Sequence, residues 1–78
     1  MDAKTTSAAF ELIAGKVDLS LSEITLEETL EEIGLDSLHL MEMAMSVQRD
    51  YGNPVPEGDL RLDQTVAEAI AYLDGRMR

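Results

Sequence analysis

The sequence predicts an all-α fold: a small antiparallel helical bundle of three main helices plus one short helix, with a long loop between the first two. Three observations support this prediction. Apolar residues recur at helical spacing in three segments, helix-stopping residues follow those segments, and no segment shows the alternation typical of a strand. With 78 residues and no cysteine, the chain is expected to form a single domain, residues 1–78, that no disulfide stabilises.

The first helix is predicted to start near Thr5 to Ser7 and to run to about Val17. Gly15 lowers the helical propensity close to its end. Apolar residues three and four positions apart give this helix one face that can be buried. The residues expected on that face are Phe10, Ile13, Ala14 and Val17.

The stretch from Leu19 to Ile33 is predicted to be a long ordered loop with a short helical turn. Residues 26–33 favour a helix by local propensity, but like-charged acids crowd them. Ser20, Ser22 and Thr25 before them are residues typical of caps and loops. The apolar residues expected to hold the loop on the core are Leu19, Leu21, Ile24, Leu30 and Ile33.

The second helix is predicted to run from Ser37 to Asp50 or Tyr51, and Gly52-Asn53-Pro54 ends it. Its apolar residues form two stripes. The stripe with the spacing i, i+3, i+4, i+7 is expected to face the core, and it consists of Leu40, Met43, Ala44 and Val47. The second stripe is left over and needs a partner, and it consists of Leu38, Met41 and Met45.

The C-terminal part is predicted to contain the short helix and the last helix. The short helix spans residues 55–60, with Pro56 at its start. The last helix begins at Thr65, because Thr65 and Glu68 have the spacing of a capping box. Gly75 is expected to end it near Asp74. Its apolar residues at helical spacing are Val66, Ile70, Leu73 and Met77.

The chain is strongly acidic, with sixteen acids, six bases and a net charge of −10. This argues against nucleic-acid binding, because phosphate contacts require Lys and Arg. It favours partners with basic surfaces, and it equally fits a role in keeping a small protein in solution. No signal peptide and no run of roughly 20 apolar residues is visible, and the absence of cysteine fits a reducing compartment. We therefore expect a cytoplasmic protein without a membrane span.

Asp36 and Ser37 stand where the second helix begins. Both residue types accept hydrogen bonds from the free backbone N–H groups of a helix start, and Gly34 lets the chain turn before them. Capping alone would explain this pattern. However, Gly34-Leu35-Asp36-Ser37-Leu38 also resembles the attachment motif of acyl carrier proteins. The resemblance covers essentially the whole chain, through an acidic loop ending in Glu31-Glu32-Ile33-Gly34, a helix containing Glu42, Tyr51-Gly52, Val55-Pro56 and Thr65-Val66.

The resemblance implies a phosphoprotein in which Ser37 is esterified with 4′-phosphopantetheine from coenzyme A, with Asp36 and Leu38 flanking the site. The thiol of that group would hold acyl intermediates as thioesters. The resulting phosphodiester would be an anion next to the positive end of a helix dipole. The chain would be a monomeric, non-catalytic carrier. The implied partners are a phosphopantetheinyl transferase, an acyltransferase or ligase, a ketosynthase and other acyl-processing enzymes.

The expected partner face consists of Leu38, His39, Met41, Glu42 and Met45. Met suits a surface that must fit several enzymes, because it is unbranched and adaptable. Fatty-acid-type carriers usually have acids two residues after the serine and near the end of this helix, where this chain has His39, Gln48 and Arg49. This difference favours a specialised polyketide- or fatty-acid-like pathway.

Two other functions remain open from the sequence. A peptidyl or aryl carrier of nonribosomal synthesis would have the same fold and prosthetic group, although the glycine pattern before Ser37 fits it less well. An acidic helical interaction module without a prosthetic group is the second alternative. A hydrolase triad of Asp36, Ser37 and His39 is disfavoured, because neighbouring helical residues do not face one another. No metal site is expected, since the acids lack the spacing of a calcium loop.

Overall fold

The computed structural model describes residues 3–17 and 23–77, and the side chains of residues 8–17 and 23–77. Within these residues there are three helices: α1 (Ala3–Ala14), α2 (Ser37–Tyr51) and α3 (Val66–Arg76). The described ranges contain no strand, only an isolated bridge between Thr29 and Thr65. The all-α fold and the long connection between the first two helices are thus confirmed. None of the helices in these ranges has the length and apolarity needed to cross a membrane.

The core takes side chains from all three helices and from the loop before α2. Ile13 of α1, Leu30 of the loop, Met43 of α2 and Leu73 of α3 are completely buried. Burial of apolar surface on this scale is the main stabilising contribution in a small domain. The remaining buried apolar residues are Ala9, Ile24, Ile33, Leu35, Val47, Leu60, Val66, Ala69, Ile70 and Met77.

Helix α1 is shifted towards the N-terminus relative to the prediction. It already includes Ala3 and ends at Ala14 instead of Val17. After Ala14 the backbone tightens, because Lys16 N–H donates to Ile13 O at 3.1 Å, one residue closer along the chain than in an α-helix. Ile13 is buried as expected, whereas the other three predicted core residues of α1 and its turn are half-buried, namely Phe10, Ala14 and Val17. Ala9 is a buried residue that the prediction missed.

From residue 23 onward, the loop before α2 has the predicted form. Residues 26–34 are a succession of turns, and one helical turn is closed by Ile33 N–H donating to Thr29 O at 3.2 Å. Ile24, Leu30 and Ile33 are buried as expected, while the predicted anchors Leu19 and Leu21 lie outside the described residues.

The same loop completes the start of α3. Val66 N–H donates to Glu28 O at 2.8 Å, and Ala67 N–H donates to Leu26 O at 3.0 Å. These two donors belong to the first turn of α3, where no intrahelical acceptor exists. The loop therefore packs on the core and also accepts hydrogen bonds from the first turn of α3, which is distant in sequence.

Helix α2 has the predicted bounds. Gly52 follows it with φ 74°, a left-handed conformation that glycine adopts without strain, and its N–H donates to Gln48 O at 2.9 Å. Of the four residues predicted to face the core, Met43 and Val47 are buried, and Leu40 and Ala44 are half-buried. The half-buried pair lies beside the cleft described below.

The predicted short helix at residues 55–60 is wrong, because this segment forms turns and bends. Gly58 has φ 96°, which is incompatible with a right-handed helix, and a single bond from Asp59 N–H to Pro56 O, 3.1 Å long, closes the turn. The described residues thus contain the three main helices without the fourth, minor one.

Helix α3 begins as predicted and ends later. Thr65 Oγ1 accepts from Glu68 N–H at 3.1 Å, and Glu68 Oε1 accepts from Thr65 N–H at 2.9 Å, which is a complete capping box. The helix continues through Gly75 to Arg76 instead of stopping near Asp74. Burial of Met77 just beyond this end offsets the cost of about 1 kcal/mol for a helical glycine.

Candidate functional site

The start of α2 is held by a reciprocal pair of hydrogen bonds. Asp36 Oδ1 accepts from His39 N–H at 3.0 Å, and His39 Nδ1 accepts from Asp36 N–H at 3.2 Å. His39 thus occupies the position that Glu or Gln takes in an ordinary capping box. The capping role of Asp36 was predicted. That of His39 was missed, although its spacing of three residues after the cap was a signal for it.

Ser37 is the first residue of α2 and its side chain is exposed. Because Asp36 caps the helix, the Ser37 hydroxyl is not needed for that purpose. Backbone N–H groups and the positive end of the helix dipole lie at this position, and both favour a negative charge there. Gly34, with φ 103°, and the buried Leu35 lead the chain into this position.

An open cleft of about 540 Å³ runs from Ser37 along α2. One wall is α2, where Leu40 and Ala44 supply apolar surface, and the opposite wall is the segment of residues 55–60. Gln48 and Glu57 bring polar groups to its lining. A flexible apolar chain attached near Ser37 therefore has a half-enclosed surface to lie against.

The left-over stripe of α2 is exposed, as the sequence predicted. The exposed fractions are 58% for Leu38, 58% for Met41 and 62% for Met45. Met41 and Met45 also line the cleft, so the outer surface of α2 and the cleft share these two side chains. Of the residues predicted for the partner face, His39 is half-buried and Glu42 is exposed.

Each acid of α2 and its cap has a partner within the chain. Glu42 Oε1 lies 3.6 Å from Lys16 Nζ, and Arg49 Nε donates to Asp50 Oδ1 at 3.0 Å. The hydrogen bond and charge of Asp50 raise the pKa of the Arg49 guanidinium. Asp36 is bonded to His39, as described above. The Glu42 pair was not predictable, because it joins two residues that are distant in sequence.

The outer wall of the cleft is attached to α3 by a polar network. Tyr72 Oη donates to Asp59 Oδ2 at 2.7 Å, and the Arg76 guanidinium lies 5.2 Å from the centre of the Tyr72 ring. Asn53 Nδ2 donates to Arg76 O at 2.7 Å. Burial and the bond to Asp59 raise the pKa of Tyr72. No spacing within one segment of the sequence predicts this network.

Replacing Tyr72 tests the network. We expect Tyr72→Phe to lower the free energy of unfolding by about 1 kcal/mol, the usual net contribution of one hydrogen bond. A group whose pKa is raised on folding stabilises the fold below its ordinary pKa, here about 10, and loses this contribution as the pH rises past the raised value. Urea unfolding at neutral and alkaline pH should therefore show a smaller alkaline loss of stability in Tyr72→Phe. Equal losses in both proteins would contradict this.

Known proteins are similar to this chain over most of its length. Residues 9–73 match the protein family described as "Phosphopantetheine attachment site". The chain is 35% identical over 66 residues to a protein named "Acyl carrier protein" from Azobacteroides pseudotrichonymphae genomovar. CFP2, which covers 82% of this chain and 78% of that protein. The chain belongs to the acyl carrier protein family.

Two further relatives have the same printed name. "Acyl carrier protein" from Clostridium perfringens strain SM101 is 31% identical over 64 residues, covering 81% of this chain and 84% of the relative. "Acyl carrier protein" from Exiguobacterium sp. strain AT1b is 31% identical over 68 residues, covering 86% of each chain. The similarity therefore extends over most of the fold.

The prosthetic group of acyl carrier proteins is covalently attached 4′-phosphopantetheine, which supplies a thiol that this chain lacks. The residues at the start of α2 fit such a group, because an exposed hydroxyl lies at a helix N-terminus beside an open apolar cleft.

His39 pairs with Asp36 through the capping bonds. Among the residues that the structure describes, no cluster of three His, Cys, Asp or Glu side chains could hold a metal ion.

Proposed function

We propose that Ser37 carries 4′-phosphopantetheine and that the chain is a non-catalytic acyl carrier, which presents thioester-bound intermediates to partner enzymes. The observation that supports this most strongly is the exposed Ser37 hydroxyl at the start of α2, next to the cleft, with Asp36 in the capping position. In the attachment step the Ser37 oxygen would bond to the pantetheine-bearing phosphorus of coenzyme A. The 3′,5′-adenosine bisphosphate would leave, and the hydroxyl proton would go to solvent or to a base of the transferase.

Leu38 and Asp36 have separate roles in this proposal. Asp36 fixes the first turn of α2, and thereby the direction of the Ser37 side chain. Leu38, which is 58% exposed, gives the modifying enzyme an apolar contact directly beside the hydroxyl. An enzyme surface that takes up Leu38 therefore comes within reach of Ser37.

The cleft between α2 and residues 55–60 is proposed to hold the acyl cargo. Its volume of about 540 Å³ lies within the range of small-molecule pockets. Leu40 and Ala44 offer apolar surface. The Gln48 amide could donate to a keto group of a cargo, and the Glu57 carboxylate could accept from a hydroxyl group. A cargo bound as a thioester to the group on Ser37 would leave water when it enters this cleft.

We further propose that the carrier serves a specialised polyketide- or fatty-acid-like pathway. Fatty-acid-type carriers usually have acids at the positions that are occupied here by His39, Gln48 and Arg49. Helix α2 therefore does not present a row of free acids. The proposed partners are a phosphopantetheinyl transferase, an acyltransferase or ligase, and a ketosynthase. Loading with malonyl and with aminoacyl donors would separate this function from that of a peptidyl carrier, and preferential aminoacyl loading would contradict the polyketide- or fatty-acid-like pathway.

The first experiment is the intact mass of the chain after incubation with coenzyme A and a phosphopantetheinyl transferase of broad specificity. We expect a mass increase equal to one phosphopantetheinyl group. Peptide mapping should place it on the peptide that contains Ser37. An unchanged mass under conditions that modify another carrier protein would overturn the proposed function.

A further inference from the structure

The hydrogen bonds between Asp36 and His39 enclose Ser37 in the chain. Asp36 Oδ1 accepts from His39 N–H at 3.0 Å, and the backbone N–H of Asp36 donates to His39 Nδ1 at 3.2 Å. Asp36 O also accepts from Leu40 N–H at 3.1 Å, and Leu35, just before Asp36, is buried. The backbone that leads into Ser37 is therefore held on both sides, and one of the bonds that hold it depends on the imidazole ring.

The bond at His39 Nδ1 requires a ring without a proton on that nitrogen. A neutral imidazole has one N–H and one acceptor nitrogen, whereas both nitrogens of the charged ring are donors. Because Nδ1 accepts from Asp36 N–H, the direction of this bond assigns the proton of the neutral ring to Nε2. The Glu or Gln of an ordinary capping box accepts through an oxygen, which remains an acceptor over the range from about pH 8 to 5 in which histidines gain a proton.

A second acceptor lies beside the same ring nitrogen. His39 Nδ1 is 3.2 Å from Asp36 Oδ1, the same distance as from the backbone nitrogen of Asp36. A proton on Nδ1 can be donated to the carboxylate, but it would point its positive charge at the backbone N–H. Protonation therefore exchanges the partner of the ring and leaves Asp36 N–H without its acceptor. The His39 side chain is 30% exposed, so protons from solvent reach it.

The charged groups near His39 come from three parts of the described chain. Asp36 contacts the ring directly. Glu42 lies three residues further along the same face of α2, and Lys16, after α1, lies 3.6 Å from its Oε1. In the loop before α2, the Glu32 carboxylate bonds to the loop's own backbone. Since Lys16 and Glu42 offset one another, Asp36 is the charge that acts most directly on the ring.

We infer that His39 is a positioning residue for the attachment reaction at Ser37. Its neutral ring holds the Asp36 backbone in the conformation that presents the Ser37 hydroxyl, and protonation of the ring releases this hold. The inference rests on the proposed function, because it concerns how Ser37 is presented to the transferase. Attachment is therefore fastest while His39 is neutral, and it slows as the pH falls through the range in which the ring gains its proton.

The phosphopantetheinyl transferase reaction with four chains tests this inference. We would measure kcat/KM from the mass increase, at about pH 8 and about pH 5.5, for the wild type, His39→Gln, His39→Ala and Glu68→Ala. Gln keeps an acceptor at both pH values, and Ala has none. Glu68→Ala is the matched control, because it removes the corresponding bond from the capping box of α3. Dividing each value by that of His39→Gln at the same pH removes the pH dependence of the transferase itself.

At the higher pH, we expect His39→Gln and Glu68→Ala to stay within about twofold of the wild type, and His39→Ala to be about fivefold slower, the usual effect of one capping interaction. At the lower pH, the wild type should fall about fivefold relative to His39→Gln for the same reason. The ratio of His39→Ala to His39→Gln should not change with pH. Circular dichroism of each variant checks that the helices are intact.

Nitrogen-15 NMR of the ring gives a second readout on the unmodified chain. His39 is the only histidine in the sequence, so its ring signals are identified without further variants. At the higher pH we expect a protonated Nε2 and an unprotonated Nδ1. The amide signal of Asp36 should shift together with the ring signals as the pH is lowered, because both report the same bond.

The possible outcomes separate the inference from the proposed function. A wild type that gains no mass, under conditions that modify another carrier protein, overturns the proposed function and the inference with it. A wild type that gains mass but keeps a constant ratio to His39→Gln at both pH values overturns only the inference. A neutral ring with its proton on Nδ1 would also overturn it. So would a Glu68→Ala variant as slow as His39→Ala, because a general loss of stability would then explain both rates.

Discussion

Ser37→Ala is expected to abolish the attachment of 4′-phosphopantetheine while leaving the fold unchanged. The substitution removes the exposed oxygen at the start of α2, but Asp36 Oδ1 still caps the helix through its bond to His39 N–H. Alanine is also a good helix former, and surface substitutions of this kind usually change the free energy of unfolding by less than about 0.5 kcal/mol. The intact mass after incubation with coenzyme A and a phosphopantetheinyl transferase should therefore stay unchanged, and the urea midpoint should match that of the wild type.

Ser46→Ala provides the matched control for this experiment. Ser46 is also on α2, but it is half-buried and lies on the far part of the helix from Ser37. The control should gain mass at the wild-type rate. If Ser37→Ala gained the full mass, the attachment residue would lie elsewhere in the chain.

Leu30→Ala is expected to cause the largest loss of stability among changes outside the helices. Leu30 belongs to the turns before α2, yet its side chain is fully buried. Truncating a buried leucine costs about 2–5 kcal/mol, through the lost apolar burial and the cavity left behind. A domain of this size is stable by only about 4–12 kcal/mol, so the variant should unfold at a much lower urea concentration. Urea titration followed by circular dichroism measures this difference.

Leu26→Ala separates the effect of burial from that of the loop itself. Leu26 lies in the same loop and is 43% exposed. Its truncation should cost less than about 1 kcal/mol, because less apolar surface returns to water. Equal losses of stability in the two variants would show that the loop does not contribute to the core through Leu30.

The bounds of α2 were predictable because the signals that set them are local. Asp36 satisfies the first turn, and Gly52 adopts the left-handed conformation that ends the helix. The start of α3 has the same local character, through Thr65 and Glu68. Helical spacing alone also identified the exposed stripe containing Met41 and Met45. In each case the residues that decide the structure lie within a few positions of one another.

The parts that were not predicted depend on contacts between distant residues. Helix α3 passes through Gly75 because Met77 beyond it is buried, which the local penalty for glycine does not include. The turn at Gly58 replaces a helix, and Tyr72 bonds to Asp59 across 13 positions of sequence. Such contacts exist only once the elements have packed, so spacing within one segment could not reveal them.

The hydrogen bonds between the loop and the first turn of α3 allow separation of the loop to be measured by amide hydrogen exchange. Val66 and Ala67 donate their amide hydrogens to Glu28 and Leu26, so these two protons can exchange with water only when the loop separates from the helix. Exchange at other amides of α3 requires the helix itself to open. The difference between the two rates would measure how often the segment leading to Ser37 leaves the body of the protein, without any probe attached to that segment.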